Sequence, residues 1–167
     1  MGAGHRTGGG ALRRERLWSF AKRVYARVEV AAILLELQDR HGQCVCFLLW
    51  TVWLAQTSRV AEEGALLQAA ELSQAWEESV TGPLRGVRRH LKAHRDLGEP
   101  APPERLRNRV AALELDAERL LLAQLEKVAT HPSATPSDPV AALKDAVGAW
   151  GAAAPQRLLE RLVAAAA

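Results

Sequence analysis

The chain has little of what membrane proteins and disulfide-stabilised proteins need. Two of its 167 residues are cysteine, and Cys44 and Cys46 are two apart on an expected helix, where they point in different directions and do not readily pair. The N-terminal segment has no apolar run like that of a secretory signal. The longest apolar run is shorter than the roughly 20 residues that cross a bilayer. We therefore expect a soluble, cytoplasmic protein with no membrane span and with reduced thiols in its core.

Sequence motifs of known reaction chemistry are also lacking. There is no G-x-S-x-G turn and no Walker-type phosphate loop. Two groups have the composition of metal ligands, namely His41 with Cys44 and Cys46, and His90 with His94. The first lacks a local fourth ligand for zinc, and the second is surrounded by cationic side chains that repel a metal ion. We therefore expect no catalytic residue, no cofactor and no metal.

Aromatic residues make up only 5% of the chain and its β-branched residues are mostly valine, whereas residues that favour helices are abundant. The length is that of one domain with its own core. Residues 44–57 are apolar nearly all round, which is typical of a helix surrounded by others. The sequence therefore predicts an all-α fold, a compact bundle of about five to six helices around this central helix.

Three segments differ in composition. Residues 1–11 are rich in glycine and lack periodicity, which predicts a disordered leader. Residues 12–130 carry helical periodicity, with breaks expected at Gly42 and just before Pro83. Residues 131–167 are rich in proline and alanine, so we expect a linker with weakly specified C-terminal helices there.

The net charge of +3 lies entirely in the first sixteen residues, which hold four arginines and one glutamate. In the neutral remainder, an acidic helix expected over residues 60–80 precedes a basic one. The cations of the basic helix spread over half of its surface: Arg85, Arg88, Arg89, Lys92 and Arg95. Such a face binds an acidic protein or nucleic-acid phosphates, or else the chain's own carboxylates neutralise it. Glu114 and Glu118, one turn apart on a later helix, repel each other unless cations lie opposite, so they are ready internal partners.

A polar hinge precedes the central helix. Gly42 is expected to end a helix in the left-handed conformation. Asp39 lies in the last turn of that helix, where the negative end of the helix dipole makes a hydrogen-bond donor necessary. Gln38 is placed to hydrogen-bond across the same junction. Both are candidate site residues, and the alternative that both are exposed turn residues stays open.

The long helix expected over residues 104–128 carries a heptad-like seam of Leu106, Val110, Leu113, Ala117 and Leu120. This seam suits an arm that packs across the bundle and equally suits a contact between two copies of the chain. Self-association is therefore one expectation.

Four blocks of the sequence resemble a known family. They are LWSFAKRVYARVEVAAILLELQDRHG, the apolar LLWTVWLA, VTGPLRGVRRHLK with a tryptophan before it, and ALELDAERLLLAQLE. In these blocks, over residues 17–126, the chain resembles a proteobacterial family of unknown function, domain of unknown function 2390. The resemblance implies an all-helical fold and supplies no activity. It also implies that the following residues occupy motif positions: Trp18, Gln38, Asp39, Gly42, Trp53, Pro83, Leu84, Arg85, Arg88, Arg89, Glu114 and Glu118.

The chain departs from the pattern of that family in two places. The family usually reads LQDxxGxDVNLLL, whereas this chain has Cys44 and Cys46 at the Asp and Asn positions, which removes the expected N-cap of the central helix. A Pro-Gly pair usual after the tyrosine is replaced by Val28-Glu29, so we expect a weaker break between the first two helices.

The function expected from the sequence is that of a non-enzymatic helical module for protein interaction or structure, acting through the basic helix face. Its partner is an unidentified protein or a second copy of the chain. The alternative is a nucleic-acid-binding protein that uses residues 85–95 together with the basic leader. The candidate residues for partner or anion binding, or for an internal salt-bridge set, are Arg85, Arg88, Arg89, Lys92, Gln38, Asp39, Glu114 and Glu118.

Overall fold

The structure, a computed structural model, describes residues 15–93, 102–128, 130–135 and 137–167. Its helices are α1 (Leu17–Tyr25), α2 (Val28–His41), α3 (Val45–Gln56), α4 (Ala65–Trp76), α5 (Gly82–Ala93), α6 (Pro102–Leu125), α7 (Pro139–Trp150) and α8 (Gln156–Ala166). Two three-residue strands, β1 (Arg59–Ala61) and β2 (Thr130–Pro132), pair antiparallel with Val60 opposite His131. The predicted all-α class is therefore confirmed, with one small sheet added.

Helix α3 lies at the centre of the bundle. Every residue from Val45 to Ala55 is buried, and α1, α2, α4, α6, α7 and β1 all pack against this helix. Within it, the rings of Phe47 and Trp50 stack with their centroids 5.9 Å apart. The central apolar helix is thus as predicted. Within the described ranges, no helix combines the length and the apolar character needed to cross a membrane.

The expected helix end at Gly42 is also confirmed. Gly42 has φ +61°, in the left-handed region, and its carbonyl accepts a hydrogen bond from Trp150 Nε1 at 2.8 Å. The break between α1 and α2 falls at residues 26–27 although neither glycine nor proline is present there.

A π-helical segment, Glu77–Thr81, joins α4 to α5, so helical structure is continuous from Ala65 to Ala93 and the chain does not break where the sequence predicts a break or kink. Pro83 has no N–H to complete a regular α turn, and the wider π turn accommodates it. Gly82 approaches the preceding turn so closely that a Cβ atom there would lie 2.5 Å from the carbonyl oxygen of Glu77. This continuous helical stretch begins at Ala65, later than the helix expected over residues 60–80, because the chain first forms β1.

The C-terminal segment differs from the expected linker. Helices α7 and α8 pack against each other, with α7 also on α3 and α4 and α8 on α2. Leu143 of α7 and Leu158, Leu159 and Leu162 of α8 are buried in the same core as α3. Asp138 caps α7 by accepting a hydrogen bond from the Val140 N–H at 2.9 Å. The bundle has more helices than expected because this segment supplies two of them.

The seam on α6 divides into two parts. Val110 and Ala117 are buried, whereas Leu106, Leu113 and Leu120 are exposed along the helix. Self-association through those three leucines stays a prediction. The predicted leader, residues 1–11, lies outside the described residues.

Candidate functional site

The basic helix of the sequence analysis is α5, which packs against α6, and ion pairs join the two helices. Arg85 is buried, and its Nε donates to Glu114 Oε1 at 3.2 Å. Its Nη1 donates to Glu77 Oε1 in the π segment. The hydroxyl of Thr81 donates to the other oxygen of Glu77 at 2.6 Å. Arg85 therefore links the π segment to α6 from inside the protein.

Arg88 completes this arrangement from the next turn of α5. Its Nε donates to Glu114 Oε2 at 2.5 Å and its Nη2 to Glu114 Oε1 at 3.3 Å. Both oxygens of the buried Glu114 carboxylate are thus occupied by guanidinium groups. We call Glu77, Arg85, Arg88 and Glu114 the ion-pair layer.

The layer affects the acidity of its own cations. Burial lowers the pKa of Arg85, but Glu77 and Glu114 outweigh burial, so that the pKa is raised overall. The hydrogen bonds to Glu114 raise the pKa of Arg88. Both side chains are therefore cations held by carboxylates.

Glu118 lies one turn beyond Glu114 on α6, beside the ion-pair layer. Within the described part of the chain, its carboxylate has neither a salt bridge nor a hydrogen bond. Burial, followed by the nearby charge of Glu114, raises the pKa of Glu118 to about 7, although Arg85 and Arg88 oppose the shift. Glu118 is therefore partly protonated near neutral pH.

An open cleft of about 430 Å³ lies where α1, α2, α3 and α6 meet, and we call it the Glu118 cleft. Its walls are largely apolar, with Trp18, Leu35, Val45, Leu49, Leu115 and Leu122 among the lining residues. The polar groups that line it include Tyr25, Gln38, Arg88, Glu114 and Glu118. One side of the ion-pair layer is thus a wall of this cleft.

Two further lining groups have shifted acidities. Burial, with a contribution from Glu118, raises the pKa of Tyr25. Contact with the Cys44 thiol and burial raise the pKa of Cys46 well above its usual range. The Cys46 Sγ lies 3.8 Å from the backbone carbonyl oxygen of Glu118, to which it donates. Because the thiol stays protonated, Cys46 behaves as a small apolar lining residue.

The eight candidate residues from the sequence fall into three places. Gln38, Arg88, Glu114 and Glu118 line the Glu118 cleft, and Arg85 lies behind its wall in the ion-pair layer. Asp39 and Arg89 form a salt bridge with each other at the surface, and Lys92 is exposed on α5. Arg95 and His94 lie outside the described residues.

Sequence reasoning misses Glu77 as the partner of Arg85. In a regular α-helix, residues eight apart differ by about 80° around the axis and do not face each other. The π turn between them advances less per residue and removes most of this difference. A proline directly after a glycine in an otherwise helical pattern is the signal that could have suggested such a turn.

Of the candidate metal ligands, His41, Cys44 and Cys46 lie within the described residues and His94 does not. Among the residues that the structure describes, no three His, Cys, Asp or Glu side chains are arranged to hold a metal ion. Cys44 and Cys46 are free and buried, as the sequence predicts.

The chain was compared with known proteins. Residues 16–125 match the family model described as a protein of unknown function, DUF2390. Searches of curated proteins and of solved structures found no match. The matched residues include α1 to α6 in full, and so contain the ion-pair layer and the Glu118 cleft. Because the match covers more than half of the chain, the protein belongs to the DUF2390 family.

Proposed function

We propose that the protein is a non-enzymatic binding module in which the basic helix has a structural role and the Glu118 cleft receives the ligand. The observation that carries this proposal is the convergence of Gln38, Arg88, Glu114 and Glu118 on one cleft. These residues come from α2, α5 and α6, so folding alone brings them together.

The chemistry of the cleft supports binding of a ligand with an apolar body. Its volume lies within the range of about 300–1,000 Å³ that is usual for small-molecule sites, and a few polar groups converge on apolar walls. The perturbed pKa of Glu118 is typical of a functional site. The non-enzymatic part of the proposal rests on the protonated Cys46 thiol and on the arginines, which carboxylates already hold.

The same proposal includes protein interaction through the basic face, limited to the cations of that face that remain exposed. Arg89 and Lys92 remain on the exposed side of α5, with Asp39 of α2 beside Arg89. An acidic partner would contact this side next to the cleft. The nucleic-acid alternative has less support, because Arg85 and Arg88 already bind Glu77 and Glu114.

The experiment uses N-phenyl-1-naphthylamine, a neutral apolar dye whose emission rises when it leaves water. The dye is excited at a wavelength longer than those that tryptophan absorbs. Its titration into the full chain is expected to saturate at one site. Leu115→Trp partly fills the cleft and should weaken dye binding about tenfold. Leu113→Trp is the matched control, since Leu113 is an equally exposed leucine on the same helix that does not line the cleft.

Two results would contradict the proposal. One is the absence of dye binding by the folded wild-type protein. The other is equal binding by the two variants, which would place the dye elsewhere, for example in the smaller cavity of about 210 Å³ beside β1. Circular dichroism of each variant checks that helicity is retained.

A further inference from the structure

The carboxylates beside the Glu118 cleft outnumber the cations that hold them. Arg85 and Arg88 are shared by Glu77 and Glu114, whose oxygens they occupy. Glu118 is a third carboxylate beside these two guanidinium groups, and its own oxygens have no salt bridge within the described ranges. When Glu118 is ionised, the group of five side chains therefore carries one unbalanced negative charge.

A ligand that fills the cleft removes water from Glu118. An ionised carboxylate that loses its water without gaining a partner costs several kcal/mol or takes up a proton. A purely apolar ligand displaces this water and offers the Glu118 carboxylate no polar partner. An anionic ligand adds repulsion from Glu114 and Glu118, and Nε and Nη2 of Arg88 are already bound to Glu114.

We propose that the Glu118 cleft binds an organic ammonium ion, with its cationic head against the Glu118 carboxylate and its apolar body along Trp18, Leu35 and Leu115. This inference rests on the proposed function and names the chemical class of the ligand. Lys22 also lines the cleft, but within the described residues its Nζ lies over the Trp18 ring and forms no salt bridge with Glu118. The cation of the ligand therefore supplies the partner that Glu118 lacks. Tyr25, which lines the cleft, has an aromatic ring of the kind that attracts ammonium groups. The ring of Trp18 already has Lys22 Nζ and the guanidinium of Arg119 each 5.6 Å from its centre, so in this proposal Trp18 contacts the apolar body of the ligand and not its cationic head.

Binding of such a ligand depends on pH. The ammonium ion pairs with the ionised form of Glu118, whose pKa is about 7 in the free protein. The other groups that face Glu118 are Glu77, Glu114, Arg85, Arg88 and Tyr25, with the Cys46 thiol beneath and Lys22 at the exposed rim. Between about pH 6 and pH 8 the ionised fraction of Glu118 rises about tenfold, so the affinity is expected to rise by about the same factor.

The test compares two ligands with apolar chains of nearly equal length, decyltrimethylammonium and decanoate, each below its micelle concentration, by calorimetric titration of the full chain. At pH 8 the ammonium ligand is expected to bind at least about tenfold more tightly, since opposite charges a few ångströms apart in a partly desolvated site attract strongly. Glu118→Gln should remove this preference and its pH dependence. Asp116→Asn, an exposed carboxylate on the same helix outside the cleft lining, is the matched control and should change neither.

The outcomes separate this inference from the proposed function. Equal or tighter binding of decanoate by the wild type overturns the inference, and so does a preference that survives in Glu118→Gln. If the neutral dye still binds in the cleft under those conditions, the proposed function stands and the assignment of an ammonium ligand fails. If neither the dye nor the ammonium ligand binds, both fail.

Discussion

Arg85 and Glu114 form an ion pair whose side chains are only 9% and 8% exposed, and this pair joins α5 to α6. Removing two charges from water costs free energy, and their attraction offsets that cost only while the pairing is complete. The pair therefore fixes the relative position of the two helices more than it adds to net stability. The loss of one partner, in contrast, leaves a buried charge unpaired and lowers the free energy of unfolding strongly.

Glu114→Gln is expected to destabilise the protein by about 3 kcal/mol, because Arg85 and Arg88 lose their shared carboxylate inside the protein. The free energy of unfolding in urea measures the effect. The matched control is Glu104→Gln on the same helix, where the side chain is exposed and 3.7 Å from Arg107. That change should stay within about 0.5 kcal/mol of the wild type. Equal effects of the two changes would mean that the ion-pair layer has no structural role.

Gly82→Ala is expected to destabilise the protein, although alanine normally favours a helix over glycine. The new Cβ would lie 2.5 Å from the Glu77 carbonyl oxygen, so the π segment would have to move. Gly86→Ala is the matched control on the same helix, since a Cβ at Gly86 meets no atom within 4 Å. The control should gain up to about 1 kcal/mol. Thermal unfolding followed by circular dichroism distinguishes the two, and a gain in both variants would contradict the close approach.

Glu118→Gln is expected to change how stability depends on pH. Between the ordinary pKa of a glutamate, about 4.3, and the value of about 7 in the folded protein, the folded state keeps a proton that the unfolded state releases. Stability contributed by Glu118 is thus present at low pH and is lost as the pH rises through this window. In the variant, residue 118 does not titrate, so the free energy of unfolding does not fall over this window. The variant should therefore be more stable than the wild type at pH 8, by on the order of 2 kcal/mol.

The measurement is a series of urea unfolding curves for wild type and variant from pH 4 to pH 8. The difference between the two proteins isolates Glu118 from the other titrating groups. A difference that does not change with pH would show that Glu118 has an ordinary pKa.

Leu162→Ala is expected to cost about 2–5 kcal/mol, because Leu162 is fully buried between α8 and the rest of the core. Leu120→Ala, at an exposed position of α6, should cost much less. Unfolding of Leu162→Ala should remain a single transition of all helices, seen equally by tryptophan fluorescence and by circular dichroism. A separate early transition would show that α8 folds independently.

Most of the fold could be predicted from the sequence because its signals are local. The all-round apolar run of α3 and the glycine that ends α2 each indicate one structure with little dependence on distant residues. Strands β1 and β2 have only three residues each, too few for an alternating pattern. Helix α8 is short and rich in alanine, and it is the burial of leucines such as Leu158 and Leu162 against distant helices that defines it.

The candidate site could be predicted in part. The mutual repulsion of Glu114 and Glu118, one turn apart, indicates that they are ready partners for the cations of the basic helix. The structure pairs Glu114 with Arg85 and Arg88 and places Glu118 beside them. The cleft itself could not be predicted, because its volume depends on how four helices diverge at one place. The pairing of Glu77 with Arg85 could not be predicted, because the two side chains align only through the π turn.

The contacts of α8 also constrain how the protein can be synthesised. Arg27 donates a hydrogen bond to the carbonyl of Ala165, and Gln56 donates one to the carbonyl of Ala166. These partners are separated by 138 and 110 residues along the chain. On the ribosome, α2 therefore emerges long before α8, which packs against it. The apolar face of α2 that α8 covers therefore stays exposed on the nascent chain during this interval, and exposed apolar surface of this kind favours aggregation.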